Sequence, residues 1–387
     1  MFTNMSLGLN SSYYPSVITE STLSDGSLEN GFGNATMPPY MLPAYIRTTS
    51  MIVCILVMVL GVVGNLMVPL VVFRGKDMRN STNIFLVNLS VADLCVLLVC
   101  APTVLVEVNS RPEIWALGEH MCKAVPFVEL TVAHASVLTI LAISFERYYA
   151  ICEPLRAGYV CTKARATCLC FLAWAAAALC TSPIVFVTKY ENMAAISAGV
   201  EVSREEKTVA MCETQMNSSA KVAFMLVLTI LFFVLPLFLL LGLYLVIVRH
   251  LVKDSSTTSS CGESYQARAR RQVVLMLLTV VFSFFVCLAP FRLLTLFVVL
   301  SPDGALDLGM EAYYNLLYFG RIMFYLNSAI NPILYNLMSS RFRIGFLKLC
   351  GIRKPRRVES NTFRSTVTAS RPSRWATRKE GHHENVV

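Results

Sequence analysis

Charge is scarce in this chain. Of its 387 residues, 15% are charged and 55% hydrophobic, whereas a water-soluble domain carries about a quarter charged residues. With a mean hydropathy of +0.59, that shortage names lipid as the solvent and excludes an ordinary soluble domain. The parts of an enzyme are missing too. The sequence has no metal-ligand cluster, no glycine-rich phosphate loop and no nucleophile with a base at usable spacing. A transporter predicts internal repeats and helices broken at mid-membrane, and the chain shows neither. The polar N-terminal stretch holds no apolar run fit for a cleaved signal peptide, so the first span is expected to act as its own insertion signal.

What the chain does have is long apolar blocks. A bilayer-spanning helix needs about 20 mostly apolar residues, and seven blocks qualify: 48–73, 84–106, 124–145, 167–188, 222–248, 272–300 and 312–338. The last is the weakest, with Glu311 at its edge and Arg321 inside. Backbone groups in lipid must pair within their own segment, so all seven are read as helices. The fold class is an all-α membrane protein, a seven-helix bundle followed by a short amphipathic helix. It divides into an extracellular segment (1–47), the bundle (48–338), a membrane-surface helix (339–350) and a disordered cytoplasmic tail (351–387).

Lys and Arg set the orientation. Arg74, Lys76 and Arg79 follow span one, Arg147, Arg156, Lys163 and Arg165 follow span three, and Arg249, Lys253, Arg268, Arg270 and Arg271 follow span five. These loops and the basic C-terminus are therefore cytoplasmic and the N-terminus lies outside. The net charge of +9 belongs to that face and suits anionic lipid, not nucleic acid. Glycosylation tripeptides begin at Asn4, Asn10, Asn34 and Asn217, all on the outer side. Most of the 13 cysteines lie in spans or face the cytoplasm. Cys122 and Cys212 are the pair outside, where a disulfide would tie the loop before span five over the bundle; two free thiols are the alternative.

Polar residues inside spans are costly and tend to mark function. They recur here as Gly64-Asn65 in span one, Leu89-Ser90-Val91-Ala92-Asp93-Leu94 in span two and Glu146-Arg147-Tyr148 at the inner end of span three. Trp174 lies in span four, Pro236 and Tyr244 in span five, Pro290 in span six and Asn331-Pro332-Ile333-Leu334-Tyr335 in span seven. Any one is a weak signal. Together, in this order and at these depths, they resemble the rhodopsin-like, G-protein-coupled receptor superfamily from about Arg47 to Cys350. The resemblance implies that Glu146 holds Arg147 at rest, that Arg147 faces a heterotrimeric G protein when released, and that Tyr244 and Tyr335 swing inward. A snorkelling Arg and interfacial tyrosines are the plainer alternatives. Pro290 and Pro332 each remove a backbone hydrogen bond and favour a kink on which a switch can be built. By the same resemblance Asp93 joins Asn65, Ser136, Asn327 and Asn331 in a polar cluster able to hold a sodium ion, or a hydrogen-bond network without one. No other cofactor is implied. One departure stands out. The family's Cys-Trp-x-Pro is here Cys287-Leu288-Ala289-Pro290, so Phe284 or Phe291 is expected to take over the coupling of ligand to helix.

The outer half of the bundle holds Glu107, Glu129, Arg292 and Arg321, beneath an acidic rim that would attract a cationic ligand. This set suits a larger ligand of mixed charge. Internal pairing of Glu129 with Arg292 or Arg321 is the alternative, and at least one such pairing is expected because a buried unpaired charge is expensive. His134 is read as a core histidine with satisfied hydrogen bonds. The stretches Lys76-Asp77-Met78-Arg79-Asn80-Ser81-Thr82-Asn83, Pro102-Thr103-Val104-Leu105-Val106-Glu107-Val108-Asn109, Lys123-Ala124-Val125-Pro126-Phe127-Val128-Glu129-Leu130 and Glu146-Arg147-Tyr148-Tyr149-Ala150-Ile151-Cys152-Glu153-Pro154-Leu155 narrow the likeness. They resemble the insect ecdysis-triggering hormone receptors and, more distantly, the thyrotropin-releasing-hormone, ghrelin and neuromedin U receptors. That implies a peptide ligand ending in an amidated Pro-Arg-x unit and a Gq-type protein leading to calcium release. Against ghrelin and neuromedin U receptors, Glu129 falls one position early, turned by about 100° on its helix. Arg292 matches an arginine of the thyrotropin-releasing-hormone receptor and would suit a ligand carbonyl or amide oxygen. A different peptide or small messenger is the competing reading.

Past the last span, Phe342, Ile344, Phe346 and Leu347 alternate with Arg341, Arg343 and Lys348, the pattern of a helix lying on the membrane. Cys350 at its end is a palmitoylation candidate, or a plain thiol. The Ser/Thr-rich tail beyond it is a candidate for phosphorylation and arrestin recruitment.

Overall fold

A computed structural model describes residues 41–75, 78, 80–112, 114–194, 208–257, 261–301, 308–349 and 351. The seven apolar blocks become seven long helices. They are α1 (Ala44–Arg74), α2 (Ser81–Asn109), α3 (Gly118–Cys152), α4 (Lys163–Val187), α5 (Ser219–Thr229, Ile230–Val234 and Leu235–Thr257 in one run), α6 (Cys261–Leu300) and α7 (Met310–Met338). A further helix, α8 (Ser340–Leu349), follows. The first six are long and apolar enough to cross a membrane by composition alone. The 29 residues of α7 span about 43 Å at 1.5 Å per residue; Glu311, Arg321 and its asparagines and tyrosines make it the more polar helix.

The pattern of exposure is that of a lipid-facing bundle. Large apolar side chains such as Phe171, Leu179, Phe186, Phe238, Phe282 and Leu293 point outward, while Asn65, Asp93, Glu129, Arg292 and Asn331 point inward. A water-soluble protein has the reverse, and lipid is the medium that makes this arrangement favourable. At the centre stands α3, buried on every side over 129–137. Around it α1 packs on α2 and α7, α2 on α3 and α4, α3 on α4 and α5, and α6 on α5 and α7. Close helix approach uses small residues: a Cβ on Gly320 would lie 3.1 Å from the Phe291 backbone, so α6 and α7 approach closely at the level of the outer charges.

Prolines shape the helices in two ways. In α2 and α5 a widened π turn, Val96–Cys100 and Ile230–Val234, ends two residues before Pro102 and Pro236. The extra residue in the turn gives the proline ring space that a regular turn denies it. In α6 and α7, Pro290 and Pro332 sit inside continuous helix. Pro332 has no N–H for the carbonyl of Ser328, one turn back, and Asn65 Nδ2 on α1 donates to that carbonyl instead at 2.8 Å.

Outside the bundle the chain departs from an all-helical reading. Thr188–Ala194 (β1) and Thr208–Thr214 (β2) pair antiparallel, with Tyr190 opposite Cys212. Cys212 is disulfide-bonded to Cys122 at the outer end of α3. Trp115 N donates to Ala210 O at 2.9 Å, holding the hairpin to the loop before α3. The strands lie beyond lipid, where backbone groups are free to pair between segments.

Candidate functional site

The inner end of the bundle is built on the first turn of α2. Asn80 caps that helix, its side chain accepting from Asn83 N at 2.9 Å. The cap sets Ser81 and Thr82 on the turn that faces α3. Ser81 donates to Glu146 Oε1, Thr82 lies 3.4 Å from Glu146 Oε2, and Arg147 Nη2 donates to Thr82 Oγ1 at 2.5 Å. Arg147 also lies 3.5 Å from Glu146 Oε1. A carboxylate beside a helix N-terminus is favoured by the helix dipole, so Glu146 is held from three directions and in turn holds Arg147. Tyr148, the third residue of the triplet, turns away and donates to Glu153 at 3.1 Å. In the adjoining loop Cys161 donates to Glu146 O at 3.7 Å. Burial, and then the Glu146 carboxylate, push that thiol above its usual range.

Tyr244 on α5 is 3.2 Å from Ser144, and Tyr335 on α7 is wholly buried against Phe342 of α8. Gln272 Nε2 donates to Met338 O at 2.8 Å, which joins the inner ends of α6 and α7.

Midway up, Asp93 accepts from Asn331 Nδ2 at 3.0 Å. Asn65, Ser136, Asn327 and Ser328 are buried as well. The Oδ1 atoms of Asn65 and Asn327 are buried acceptors with no hydrogen-bond partner among the described residues. Trp174 is tied in through Asn88, which accepts from its Nε1 at 2.9 Å and donates to Thr139 at 2.9 Å.

The outer half holds the charges in an order that differs from the expected one. Glu129 pairs with neither arginine. Arg321 on α7 forms a two-point ion pair with Glu107 on α2, both largely buried. Glu129 on α3 accepts from Tyr325 OH at 2.7 Å, and Arg292 on α6 donates to His134 at 3.3 Å. The reason is spacing: Arg321 and Tyr325 are one turn apart on α7, so one face of that helix reaches Glu107 and Glu129 separately. Glu129, Phe291, Arg321 and Phe324 line a small cavity between α3, α6 and α7. The buried tyrosines Tyr314 and Tyr318 continue the same face outward with rings stacked at 6.3 Å. Where the family's indole would stand, Leu288 is buried. Phe284 packs edge-on against Phe285 at 5.4 Å and Phe285 against Phe233 of α5 at 5.4 Å.

Several of these residues were not legible in the sequence. Tyr325 could have been found as the residue one turn beyond Arg321, and Ser81 and Thr82 as the pair after a capping Asn. Asn88 carried no signal. Of the glycosylation candidates, Asn217 is exposed just before α5; Asn4, Asn10 and Asn34 lie outside the described residues, as does Cys350.

Comparison with known proteins bears on this geometry. A family described as "7 transmembrane receptor (rhodopsin family)" matches residues 64–335. The chain is 36% identical over 316 residues to the growth hormone secretagogue receptor type 1 of Oryctolagus cuniculus, covering 80% of this chain and 83% of that receptor. It is 33% identical over 354 residues to the thyrotropin-releasing hormone receptor of Gallus gallus, with 84% of each covered. A QRFP-like peptide receptor of Branchiostoma floridae is 28% identical over 330 residues, with 84% of each covered.

Proposed function

The chain belongs to the rhodopsin family of seven-transmembrane receptors, and on that premise we propose that it is a plasma-membrane receptor for an extracellular amidated neuropeptide of the ecdysis-triggering-hormone type. The ligand ends in Pro-Arg-x-amide, and the receptor signals through a Gq-type heterotrimeric G protein to calcium. The observation that carries this reading is the outer half of the bundle, where the buried charges Glu129 and Arg321, of opposite sign, line a cavity and Glu107 and Arg292 are held in the same half. A peptide with a basic side chain and backbone oxygens matches that set: the base goes to Glu129 and Glu107, the oxygens to Arg292, and Phe291 packs beside them. A small amine would use only the acid. The names of the relatives, a peptide receptor and a releasing-hormone receptor among them, support the same ligand class.

The N-terminus faces outside, with sugars on Asn4, Asn10, Asn34 and Asn217, and the C-terminus faces the cytoplasm. At rest Glu146, Ser81 and Thr82 hold Arg147. Ligand binding shifts α6 about Pro290, and the released guanidinium meets the G protein while Tyr244, Tyr335 and the Asn331-Pro332 segment rearrange around it. The orphaned oxygens of Asn65 and Asn327 near Asp93 suit a hard cation; with Ser136 and Asn331 they would hold sodium and stabilise the resting state. Palmitoylation at Cys350 would anchor α8, and the phosphorylated tail would recruit an arrestin.

Calcium measured in cells expressing the chain tests the proposal. Amidated Pro-Arg-x peptides should act at nanomolar concentration and their free acids weakly. Silence with confirmed surface expression would transfer the proposal to a different peptide or small messenger.

A further inference from the structure

One charge in the outer half is held unlike the others. Arg321 is neutralised by Glu107. Arg292 is buried, and no carboxylate lies within ion-pair distance of it among the described residues. Its partner is an imidazole: Arg292 Nη2 lies 3.3 Å from His134 Nε2. A guanidinium only donates, so Nε2 is the acceptor and carries no proton. The ring proton is then on Nδ1, which donates to Thr181 Oγ1 at 3.0 Å. The ring plane is fixed as well, stacked on Phe232 with centroids 4.0 Å apart and planes 16° apart. Phe232 belongs to the widened turn of α5 and Thr181 to α4. One imidazole on α3 is thus clamped from two helices and offers a single lone pair to a third.

A carboxylate in that place would orient Arg292 and cancel its charge. A neutral imidazole orients it and leaves the charge in place. We propose that His134 is a positioning residue for ligand binding, which holds the Arg292 guanidinium in one orientation so that its remaining N–H donors take an acceptor oxygen of the ligand. The proposal rests on the reading of Arg292 as a ligand contact. It goes beyond that reading by assigning specificity to a residue that touches no ligand. The ligand oxygen it selects is a carbonyl or carboxamide held against an uncancelled, buried cation, where such a bond is strong.

Two measurements on the full-length receptor test it. The first is calcium response to an amidated Pro-Arg-x peptide, with surface expression matched. His134→Phe keeps the stack on Phe232 and loses the acceptor, and should lose at least about tenfold in potency; His134→Gln, which restores an acceptor, should stay within about threefold. In an Arg292→Met background His134→Phe should change potency no further. The second measurement needs no ligand: the unfolding temperature of the receptor purified in detergent. His134→Phe should lower it by stranding a buried cation, and adding Arg292→Met should recover part of the loss. Equal losses from the Phe and Gln variants, or additive effects in the double variant, would overturn the proposal. If the wild type ignores the peptide, the ligand reading fails on its own account. The unfolding data then decide, and failure of Arg292→Met to relieve His134→Phe sinks the positioning role.

Discussion

The two ends of the bundle solve the same problem in opposite ways. Each must keep an arginine in a low-dielectric setting. At the inner end Arg147 is matched by Glu146 beside it in sequence, and both are steadied by hydroxyls at a helix N-terminus. The ion pair itself is local in sequence, and only the hydroxyls that steady it come from another helix, α2. At the outer end Arg321 and Arg292 find partners only across helices, at Glu107 and His134, 214 and 158 residues away. The apolar packing divides the same way, with one cluster around the Cys122–Cys212 disulfide and another around Tyr335. A local lock can be released by a small movement of one helix. A lock made of distant parts senses how helices sit relative to one another, which is what a ligand between them changes.

Breaking the inner end should have the largest effect. Arg147→Ala is expected to abolish the calcium response while radiolabelled-peptide binding survives; a normal response would remove Arg147 from its assigned role. Loss of the disulfide comes next. It closes a separation of 90 residues, a constraint worth about 4–5 kcal/mol in the chain-entropy account. Cys122→Ser and Cys212→Ser should therefore depress surface expression equally, and unequal phenotypes would argue for separate roles. At the outer end, Glu107→Ala strands Arg321 and should destabilise the purified receptor by about 3–5 kcal/mol, with Glu107→Gln plus Arg321→Met recovering most of it. If the double variant is as unstable as the single one, the pair is not what holds α2 to α7 there. Asn65→Ala exposes the unmatched carbonyl of Ser328 and should cost about 1–3 kcal/mol in the same assay. The smallest change expected is from Ser81→Ala, which weakens the hold on Glu146 and should raise ligand-free signalling a few-fold; lowered basal signalling would reverse the picture of the inner lock.

The seven helices were visible as apolar blocks, and at most of their ends the helix runs past the block. The block 124–145 becomes Gly118–Cys152 and the block 272–300 becomes Cys261–Leu300. Hydropathy marks the lipid-covered part of a helix, while backbone hydrogen bonding continues into water. The β1–β2 hairpin was not anticipated, because its strands have no partner until the disulfide and Trp115 bring them over the bundle. The inner site was legible because Glu146 and Arg147 are neighbours. For the outer site, residue types were legible and pairings were not: an arginine or a ligand was weighed as the partner of Glu129, and the hydroxyl of Tyr325 that donates to it was not foreseen.

By itself the sequence determined the solvent, the number of spans and the residues that must be buried in them. Each of these depends on a run of side chains or on the cost of a charge in lipid, both local quantities. Only the tertiary structure decided which charge meets which, since the side chain of His134 on α3 meets α4, α5 and α6 at once. It alone decided that Arg292 faces a neutral histidine, that the Ser328 carbonyl is matched from α1, and that the outer hairpin exists. Those outcomes depend on helix rotation and depth, which hundreds of weak packing contacts fix jointly and no single stretch of sequence records.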